Sequence, residues 1–212
     1  PQDSVERFEG LGVKVIKAAG KFVGRQEVEA NGVRIKARRF IVSTGSTVFV
    51  APIPGLGNVP YMTNETVFNR GTLPKRLIVI GGGPVGLELA QAHRHLGSEV
   101  TVLEMFSIMP KDDPELVDVV RQRVLRDGLD VREGVKIIRI EPHADGIRVV
   151  LKKEGGEEAV DGSHLLVATG RRPNVAGLNL ENAGIKYSEK GILVDARLRT
   201  TNKKVFAIGD VA

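Results

Sequence analysis

The run Leu77-Ile78-Val79-Ile80-Gly81-Gly82-Gly83-Pro84-Val85-Gly86 decides the fold of this chain. Its four apolar residues predict a buried strand of a parallel sheet. Gly81, Gly83 and Gly86 follow in the spacing G-x-G-x-x-G, in which the first glycine makes a tight turn, the second lets backbone approach a phosphate, and the third lets helix and strand pack closely. The free N–H groups at the start of the helix attract an anion. We therefore predict a strand, a turn and a helix that cradle a pyrophosphate.

The residues after the glycines support this interpretation. A helix is predicted over residues 84–96, and a second apolar strand over residues 100–103 ends at Glu104. Glu104 lies 18 residues beyond Gly86, where a carboxylate accepts hydrogen bonds from an adenosine ribose in such units. A carboxylate favours a free 2′-hydroxyl and repels a 2′-phosphate, so the sequence predicts NADH over NADPH. The alternative is a ligand-free glycine turn with Glu104 as an ordinary surface residue.

The first 50 residues are predicted to be rich in β-strands. Val13 and Val15 alternate with polar residues, and Asn31-Gly32 is a strong hairpin signal between two further strands. A short apolar strand over residues 40–42 then ends in Ser43-Thr44-Gly45-Ser46. Such a small, hydroxyl-bearing turn leaves backbone donors and room for a ligand at the carboxyl end of the strand, although an ordinary turn fits equally well.

Strands and a second helix are also predicted after Glu104. Asp113 and Pro114 are typical of a helix start, and Gly128 of its end. Strands follow over residues 129–151, with a turn at Asp145-Gly146, and a buried strand over residues 163–168 leads to Thr169-Gly170. The order of these elements predicts an α/β chain with a Rossmann-like nucleotide-binding domain.

Two apolar strands end in Thr-Gly, one at residues 40–45 and one at residues 165–170, and this echo indicates two nucleotide-binding folds. We predict that a dinucleotide-binding domain, residues 72–190, is inserted in part of a second Rossmann-like domain, residues 1–71 and 191–212. Asp210 follows the last predicted strand, residues 205–208, where its carboxylate is well placed to bind a sugar hydroxyl. Since nothing follows to cover Asp210 and no methionine starts the chain, we expect a middle piece of a longer protein.

Composition excludes several classes of protein. The chain has 212 residues, 42% of them hydrophobic and 27% charged, and no cysteine, so it has neither disulfides nor thiolate metal sites, and we expect no metal. No apolar run approaches about 18 residues and no signal peptide is visible, so we expect no membrane partner and a cytoplasmic location. The net charge of +5 arises outside residues 72–190, in short pairs such as Arg38-Arg39 and Lys203-Lys204 without interleaved aromatic residues. We therefore expect no nucleic-acid partner.

Taken together, the motifs resemble the pyridine nucleotide–disulfide oxidoreductases, flavoproteins with two dinucleotide-binding domains, and especially their dihydrolipoamide dehydrogenase and mercuric reductase branch. The matching segments lie in the expected order along nearly the whole chain: residues 43–46, 81–88, 100–104, 112–116, 168–174 and 206–210. The resemblance implies that residues 72–190 bind NAD and that the flanking residues belong to an FAD domain.

Residue roles follow from the resemblance by position. It implies that the NAD site contains Gly81, Gly82, Gly83, Pro84, Val85, Gly86, Glu104, Val135 and Gly170, and that the FAD site contains Thr44, Gly45, Ser46 and Asp210. Glu88, one turn into the helix, would orient the nicotinamide ring and is the one candidate catalytic residue. The implied reaction passes hydride between NAD(H) and flavin, and the cofactors carry that chemistry.

The sequence also departs from the resemblance. It has no N-terminal G-x-G-x-x-G for the ADP half of FAD, no redox-active cysteine pair and no C-terminal dimerisation domain, so we expect an incomplete FAD site and a homodimer only with that further domain. Dihydrolipoamide oxidation is the leading interpretation. Mercuric reductase, coenzyme A disulfide reductase, NADH oxidase or transhydrogenase activity is an alternative, as is a stand-alone dinucleotide-binding or redox-sensing module without catalysis.

Overall fold

A computed structural model of the chain describes residues 4–69, 71–144 and 146–212. Three α-helices and sixteen strands lie within these ranges. In chain order they are α1 (Val5–Gly10), β1 (Gly20–Gly24), β2 (Glu27–Ala30), β3 (Val33–Lys36), β4 (Phe40–Val42), β5 (Ser46–Val48), β6 (Arg76–Ile80), α2 (Pro84–His95), β7 (Glu99–Leu103), α3 (Pro114–Arg126), β8 (Asp130–Arg132), β9 (Lys136–His143), β10 (Gly146–Lys153), β11 (Gly156–Gly162), β12 (His164–Val167), β13 (Arg171–Pro173), β14 (Tyr187–Ser188), β15 (Gly191–Ile192) and β16 (Val205–Ala207).

The chain divides into two compact units, one made of residues 48–171 and the other of residues 1–47 together with residues 172–212. The predicted α/β class with a Rossmann-like sheet is confirmed. The placement of the cofactor domains, with boundaries at residues 72 and 190, stays a prediction. Of the helices in the described ranges, none combines the length and the apolarity needed to cross a lipid bilayer.

The unit of residues 48–171 is built on a four-stranded parallel sheet in the order β12-β6-β7-β8. The glycine-bearing strand β6 is central, and its last residue, Ile80, lies beside Val167 of β12 and Leu103 of β7. Because the strands are parallel and in register, their carboxyl ends meet at one edge, where ligands of such sheets bind.

The two faces of this sheet are covered by different layers. Leu77 and Val79 of β6 pack in a core with α2 and α3, whereas Ile78 and Ile80 pack in a core with the antiparallel meander β9-β10-β11. All four side chains are at most 4% exposed, and a fully buried side chain of this size contributes about 1.5–3 kcal/mol. Continuous apolar strands such as β6 are the expected consequence of burial on both faces.

The predicted helices are confirmed close to their expected bounds. α2 starts at Pro84 and is followed by Gly97 with φ of +108°. Asp113 caps α3 by accepting a hydrogen bond from the N–H of Glu115 at 3.0 Å, and Gly128, φ +89°, follows its end. Of the turn predicted at Asp145-Gly146, Asp145 lies outside the described residues.

The unit of residues 1–47 and 172–212 contains the sheet β1-β2-β3 and the parallel pair β4-β16. The predicted hairpin at Asn31-Gly32 is confirmed: φ is +50° at Asn31 and +74° at Gly32, as a type I′ turn between β2 and β3 requires. The core of this unit joins Phe22 of β1 to Val205 of β16 and to Leu180 on a short 3-10 helix, residues 180–183.

Two elements of this unit differ from the sequence prediction. Residues 13–18 form no strand although Val13 and Val15 alternate with polar residues, and residues 5–10 form α1 instead of a continuing β-rich segment. α1 buries no residue, and its start is capped by Ser4, whose hydroxyl accepts from the N–H of Arg7 at 3.3 Å. Alternation alone was misleading, because residues 13–18 have no neighbouring strand to pair with in the described part of the chain.

Asp127, at the end of α3, connects the two helices on one face of the sheet. Its carboxylate accepts from Gln91 of α2 at 2.7 Å and from Arg123 at 3.0 Å, and it lies 3.1 Å from His95. The hydrogen bonds from Gln91, then from Arg123, lower the pKa of Asp127 to about 2.

A pH-dependent loss of stability is expected for Asp127→Asn. Since the folded pKa lies below the unfolded value of about 3.9, the carboxylate stabilises the fold fully above pH 4, and this contribution is lost as the pH falls through 2. Thermal unfolding at pH 7 should therefore show a lower midpoint for Asp127→Asn, with the difference shrinking between pH 4 and pH 2. Asp112→Asn, at an exposed position, is the control, and a pH-independent difference would contradict the prediction.

Candidate functional site

The turn after β6 has a conformation that requires glycine at its first position. Gly81 has φ of +113°, and its N–H donates to the carbonyl of Leu103 at 2.9 Å, which holds the turn against the end of β7. A Cβ at Gly81 would collide with the carbonyl oxygen of Ala168, at the end of β12. The turn thus packs tightly between the ends of β7 and β12, and only glycine fits its first position.

The other two motif glycines have opposite surroundings. A Cβ at Gly86, in the first turns of α2, would collide with the carbonyl oxygen of Gly81, so this glycine lets the helix pack onto the turn. At Gly83, the N-cap residue of α2, a Cβ would have no heavy atom of the described residues within 4 Å apart from its own chain neighbours. Gly83 also offers no side chain to cap the helix N-terminus. The structure therefore leaves open space in front of the helix start, where a phosphate would approach.

A cavity of about 530 Å³ lies at the carboxyl ends of β12, β6 and β7. Its volume is within the usual range for small-molecule sites. The lining residues include, from the predicted NAD site, Gly81, Gly83, Glu104, Val135 and Gly170, and beside them Ile53, Pro54, Met105, Phe106 and Pro110. Five of the predicted residues are thus brought to one concave surface, and apolar side chains form much of the rest.

Glu104 joins the glycine turn to the end of β7. Its carboxylate accepts from the N–H of Gly82 at 2.6 Å and from the N–H of Phe106 at 2.9 Å, one bond to each oxygen. A Cβ at Gly82 would lie 3.1 Å from the Cβ of Glu104, so this glycine allows their close approach. Each carboxylate oxygen has a second lone pair, which leaves acceptor capacity at the cavity wall.

A second group of predicted residues meets in the unit of residues 1–47 and 172–212, at the carboxyl ends of β4 and β16. The hydroxyl of Thr44 donates to the carbonyl of Asn174 at 2.8 Å, and the side-chain amide of Asn174 donates back to the carbonyl of Thr44 at 2.8 Å. The hydroxyl of Ser46 donates to Asp210 at 2.7 Å, and the N–H of Asn174 donates to the carbonyl of Gly45 at 2.9 Å. Residues distant in sequence therefore form one polar cluster at this edge.

The model of the pyridine nucleotide–disulphide oxidoreductase family matches residues 2–212. The chain belongs to this family. The members of the family use FAD and a pyridine nucleotide, and the resemblance noted in the sequence is confirmed.

Individual relatives agree with this assignment. The chain is 40% identical over 211 residues to a dihydrolipoyl dehydrogenase of Thermus scotoductus, covering 97% of the chain and 45% of the relative. It is 37% identical over 199 residues to a mercuric reductase of Lysinibacillus sphaericus, and this match covers 93% of the chain and 36% of the relative. The solved structure of the HOCl-induced flavoprotein disulfide reductase RclA from Escherichia coli superposes with a TM-score of 0.82 at 31% identity, covering 97% of the chain and 48% of that protein. The chain therefore spans less than half the length of these family members.

Glu88, the candidate catalytic residue of this family member, is exposed on α2. The residues that line the cavity do not include Glu88, Gly82, Pro84, Val85 or Gly86. Gly82 and Gly86 allow close packing around the turn. The cofactor roles of Gly82, Pro84, Val85, Gly86 and Glu88 stay predictions. Within the described residues no three His, Asp or Glu side chains are grouped as a metal site would require.

Glu133, which the motifs do not single out, holds a loop beside the glycine turn. Glu133 accepts from the N–H of Ile108 at 2.7 Å and from Arg121 at 2.9 and 3.0 Å. The hydrogen bond from Arg121 lowers the pKa of the Glu133 carboxyl, with a further contribution from the N–H of Ile108. Ile108 is buried, and its side chain lies close to Gly82. The position of Glu133 directly after β8 was the one signal in the sequence.

Thr169, at the predicted end of a strand, makes long-range contacts that the local sequence does not indicate. Its hydroxyl donates to the carbonyl of Phe49 at 2.7 Å and accepts from the N–H of Ala51 at 3.2 Å. These bonds fix the segment that continues through residues 51–54, which lines the cavity. Thr169 therefore positions one side of the cavity by way of the backbone.

Proposed function

We propose that the unit of residues 48–171, which contains most of the dinucleotide-binding domain predicted at residues 72–190, forms the NAD(H)-binding part of an FAD-dependent oxidoreductase. The observation that carries this proposal is the open space at Gly83 beside the cavity of about 530 Å³, because a pyrophosphate needs close access to the backbone N–H groups of a helix start. Glu104 supports it with a carboxylate at the cavity wall, where it would accept hydrogen bonds from the adenosine ribose. In the same proposal Val135 and Gly170 line the site, and Glu88 orients the nicotinamide ring.

In the other unit, Thr44, Gly45, Ser46 and Asp210 fit a contribution to the FAD site. Hydroxyl groups, backbone and a carboxylate collected at the carboxyl ends of two parallel strands can bind the ribityl chain of the flavin by hydrogen bonds. When bound, FAD supplies hydride exchange with the nicotinamide ring. The proposed role of this chain is to bind and orient the two cofactors, since its 212 residues include no cysteine and supply no thiol.

For the whole protein we propose dihydrolipoamide oxidation, because the chain is 40% identical to the dihydrolipoyl dehydrogenase of Thermus scotoductus. Mercuric reductase activity is the second candidate, favoured by the 37% identity to the enzyme of Lysinibacillus sphaericus. Assays of the whole protein with dihydrolipoamide plus NAD⁺, and with Hg²⁺ plus NADH or NADPH, distinguish the two.

Titration with NADH and NADPH tests the dinucleotide site directly. A ligand at 100 times its Kd stabilises the native state by about 2.7 kcal/mol, which in a chain of this size raises the unfolding midpoint by about 5 °C or more. We expect NADH to produce this shift and NADPH a smaller one at equal concentration. If neither dinucleotide shifts the midpoint or changes nicotinamide fluorescence at millimolar concentration, the proposed NAD(H) site is wrong.

A further inference from the structure

Two basic pairs of the sequence meet at the amino ends of β4 and β16. These strands are parallel and in register, with Phe40 beside Val205. Arg38-Arg39 directly precedes β4, and Lys203-Lys204 directly precedes β16. Because parallel strands in register begin at the same edge, the two pairs lie side by side, at the opposite end of the strands from Thr44 and Asp210.

Together with residues from the neighbouring sheet, these pairs line a cavity of about 770 Å³. Among the residues that the structure describes, six cationic side chains line this cavity, here called the cationic pocket: Arg25, Lys36, Arg38, Arg39, Lys203 and Lys204. Glu27 is the one carboxylate among these described lining residues, and it lies 3.9 Å from Arg34, which is outside the pocket. The volume is within the usual range for small-molecule sites.

The positive charge of the cationic pocket is only partly offset by the Glu27 carboxylate. Across residues 4–69, 71–144 and 146–212, no ion pair is formed by the six cationic side chains, and Lys204 donates to the neutral Gln26 at 2.7 Å. Like charges collected in a concave surface repel one another and create a field that concentrates anions. The pocket therefore has the electrostatics of a site that attracts anions.

Hydrogen bonds to backbone groups hold in place the segments that carry these cations. Asn202, which is 5% exposed, donates from its side-chain amide to the carbonyl of Arg25 at 2.8 Å and accepts from the N–H of Lys204 at 3.1 Å. The N–H of Phe40 donates to the carbonyl of Lys204 at 2.9 Å. Three segments of the chain are thus fixed relative to one another before any ligand binds, which lowers the entropic cost of binding.

We propose that the cationic pocket binds the oligophosphate group of a small molecule. Three guanidinium groups offer planar pairs of donors that match phosphate oxygens, and the lysines add point charges. The described residues of the lining include no aromatic side chain on which bases could stack, which disfavours single-stranded nucleic acid. Free inorganic oligophosphate and the phosphate chain of a nucleotide share this chemistry. The proposal does not depend on the NAD(H) site.

Calorimetric titration with sodium tripolyphosphate at low ionic strength tests the proposal. All proteins in this titration carry Gly83→Val, so that the glycine turn does not compete with the cationic pocket for tripolyphosphate. We expect Arg39→Gln/Lys203→Gln to raise the Kd for tripolyphosphate by about tenfold or more, since it removes two charge-assisted contacts. The matched control is Lys14→Gln/Arg126→Gln, which removes the same two charges at exposed positions elsewhere and should leave the Kd unchanged. Arg39→Lys/Lys203→Arg keeps both charges and should retain binding within a few-fold.

The outcomes of this titration are distinct. Equal Kd values for ATP and tripolyphosphate indicate recognition of the phosphate chain alone, and tighter binding of ATP indicates a nucleotide; both support the proposal. Absence of tripolyphosphate binding, binding that survives Arg39→Gln/Lys203→Gln, or equal weakening in the control overturns it. Tighter binding of a DNA oligonucleotide that depends on Arg39 and Lys203 overturns it in favour of a nucleic-acid surface.

Discussion

Gly83→Val is expected to weaken NADH binding by about 100-fold, or about 2.7 kcal/mol, while leaving the fold stable. The backbone at Gly83 has φ of −73° and ψ of 176°, which any residue adopts. Apart from the chain neighbours, no heavy atom in the described part of the chain lies within 4 Å of a Cβ at this position. The valine side chain would instead occupy the space through which a pyrophosphate reaches the helix start. Fluorescence titration with NADH measures the Kd, and thermal unfolding without ligand checks the fold.

Gly86→Val is the matched comparison, because it changes another glycine of the same motif in the same way. A side chain at Gly86 would collide with the backbone of Gly81 inside a packed core, so we expect a loss of about 3 kcal/mol in the free energy of unfolding. If Gly83→Val destabilises the unliganded chain as much as Gly86→Val does, the space at Gly83 is not open. If Gly83→Val folds normally and still binds NADH with unchanged Kd, the dinucleotide does not lie at this turn.

The central strand and both long helices could be predicted because their signals are local. Four apolar residues before Gly81 define β6, and caps such as Asp113 define α3 within the sequence itself. The motif already gives Gly83 and Gly86 different roles, backbone approach to a phosphate for Gly83 and close packing for Gly86. The surroundings of the two glycines agree with these roles, since a Cβ would enter open space at Gly83 and collide with the Gly81 carbonyl at Gly86.

Other parts of the site depend on long-range pairing that no local signal reports. Thr169 contacts Phe49 across 120 positions, and Glu133 contacts Ile108 across 25. The cationic pocket has the same origin, since Arg38-Arg39 and Lys203-Lys204 become neighbours through the register of β4 and β16. The sequence indicates two separate basic pairs on the flanks, and the strand pairing converts them into one surface.

The discrimination between NADH and NADPH is expected to depend on the charge of Glu104. A carboxylate at the ribose position repels a 2′-phosphate, so the wild type should bind NADH at least about tenfold more tightly than NADPH. Glu104→Gln removes the charge with little change in size, and the ratio of the two Kd values should fall several-fold. Glu104→Arg should narrow the ratio further or reverse it. The ratio is the proper readout because any loss of folded protein affects both ligands equally.

A structural effect must be separated from this electrostatic one, because Glu104 also accepts hydrogen bonds from the N–H groups of Gly82 and Phe106. Removing such an acceptor costs about 1–3 kcal/mol where the donor is left unpaired. Glu133→Gln is the matched control: Glu133 likewise accepts from a backbone N–H, that of Ile108, but does not line the cavity. It should lower stability and leave the NADH to NADPH ratio unchanged. If both variants change the ratio alike, or if Glu104→Gln leaves it unchanged, the Glu104 carboxylate does not select the cofactor and the discrimination arises elsewhere in the cavity.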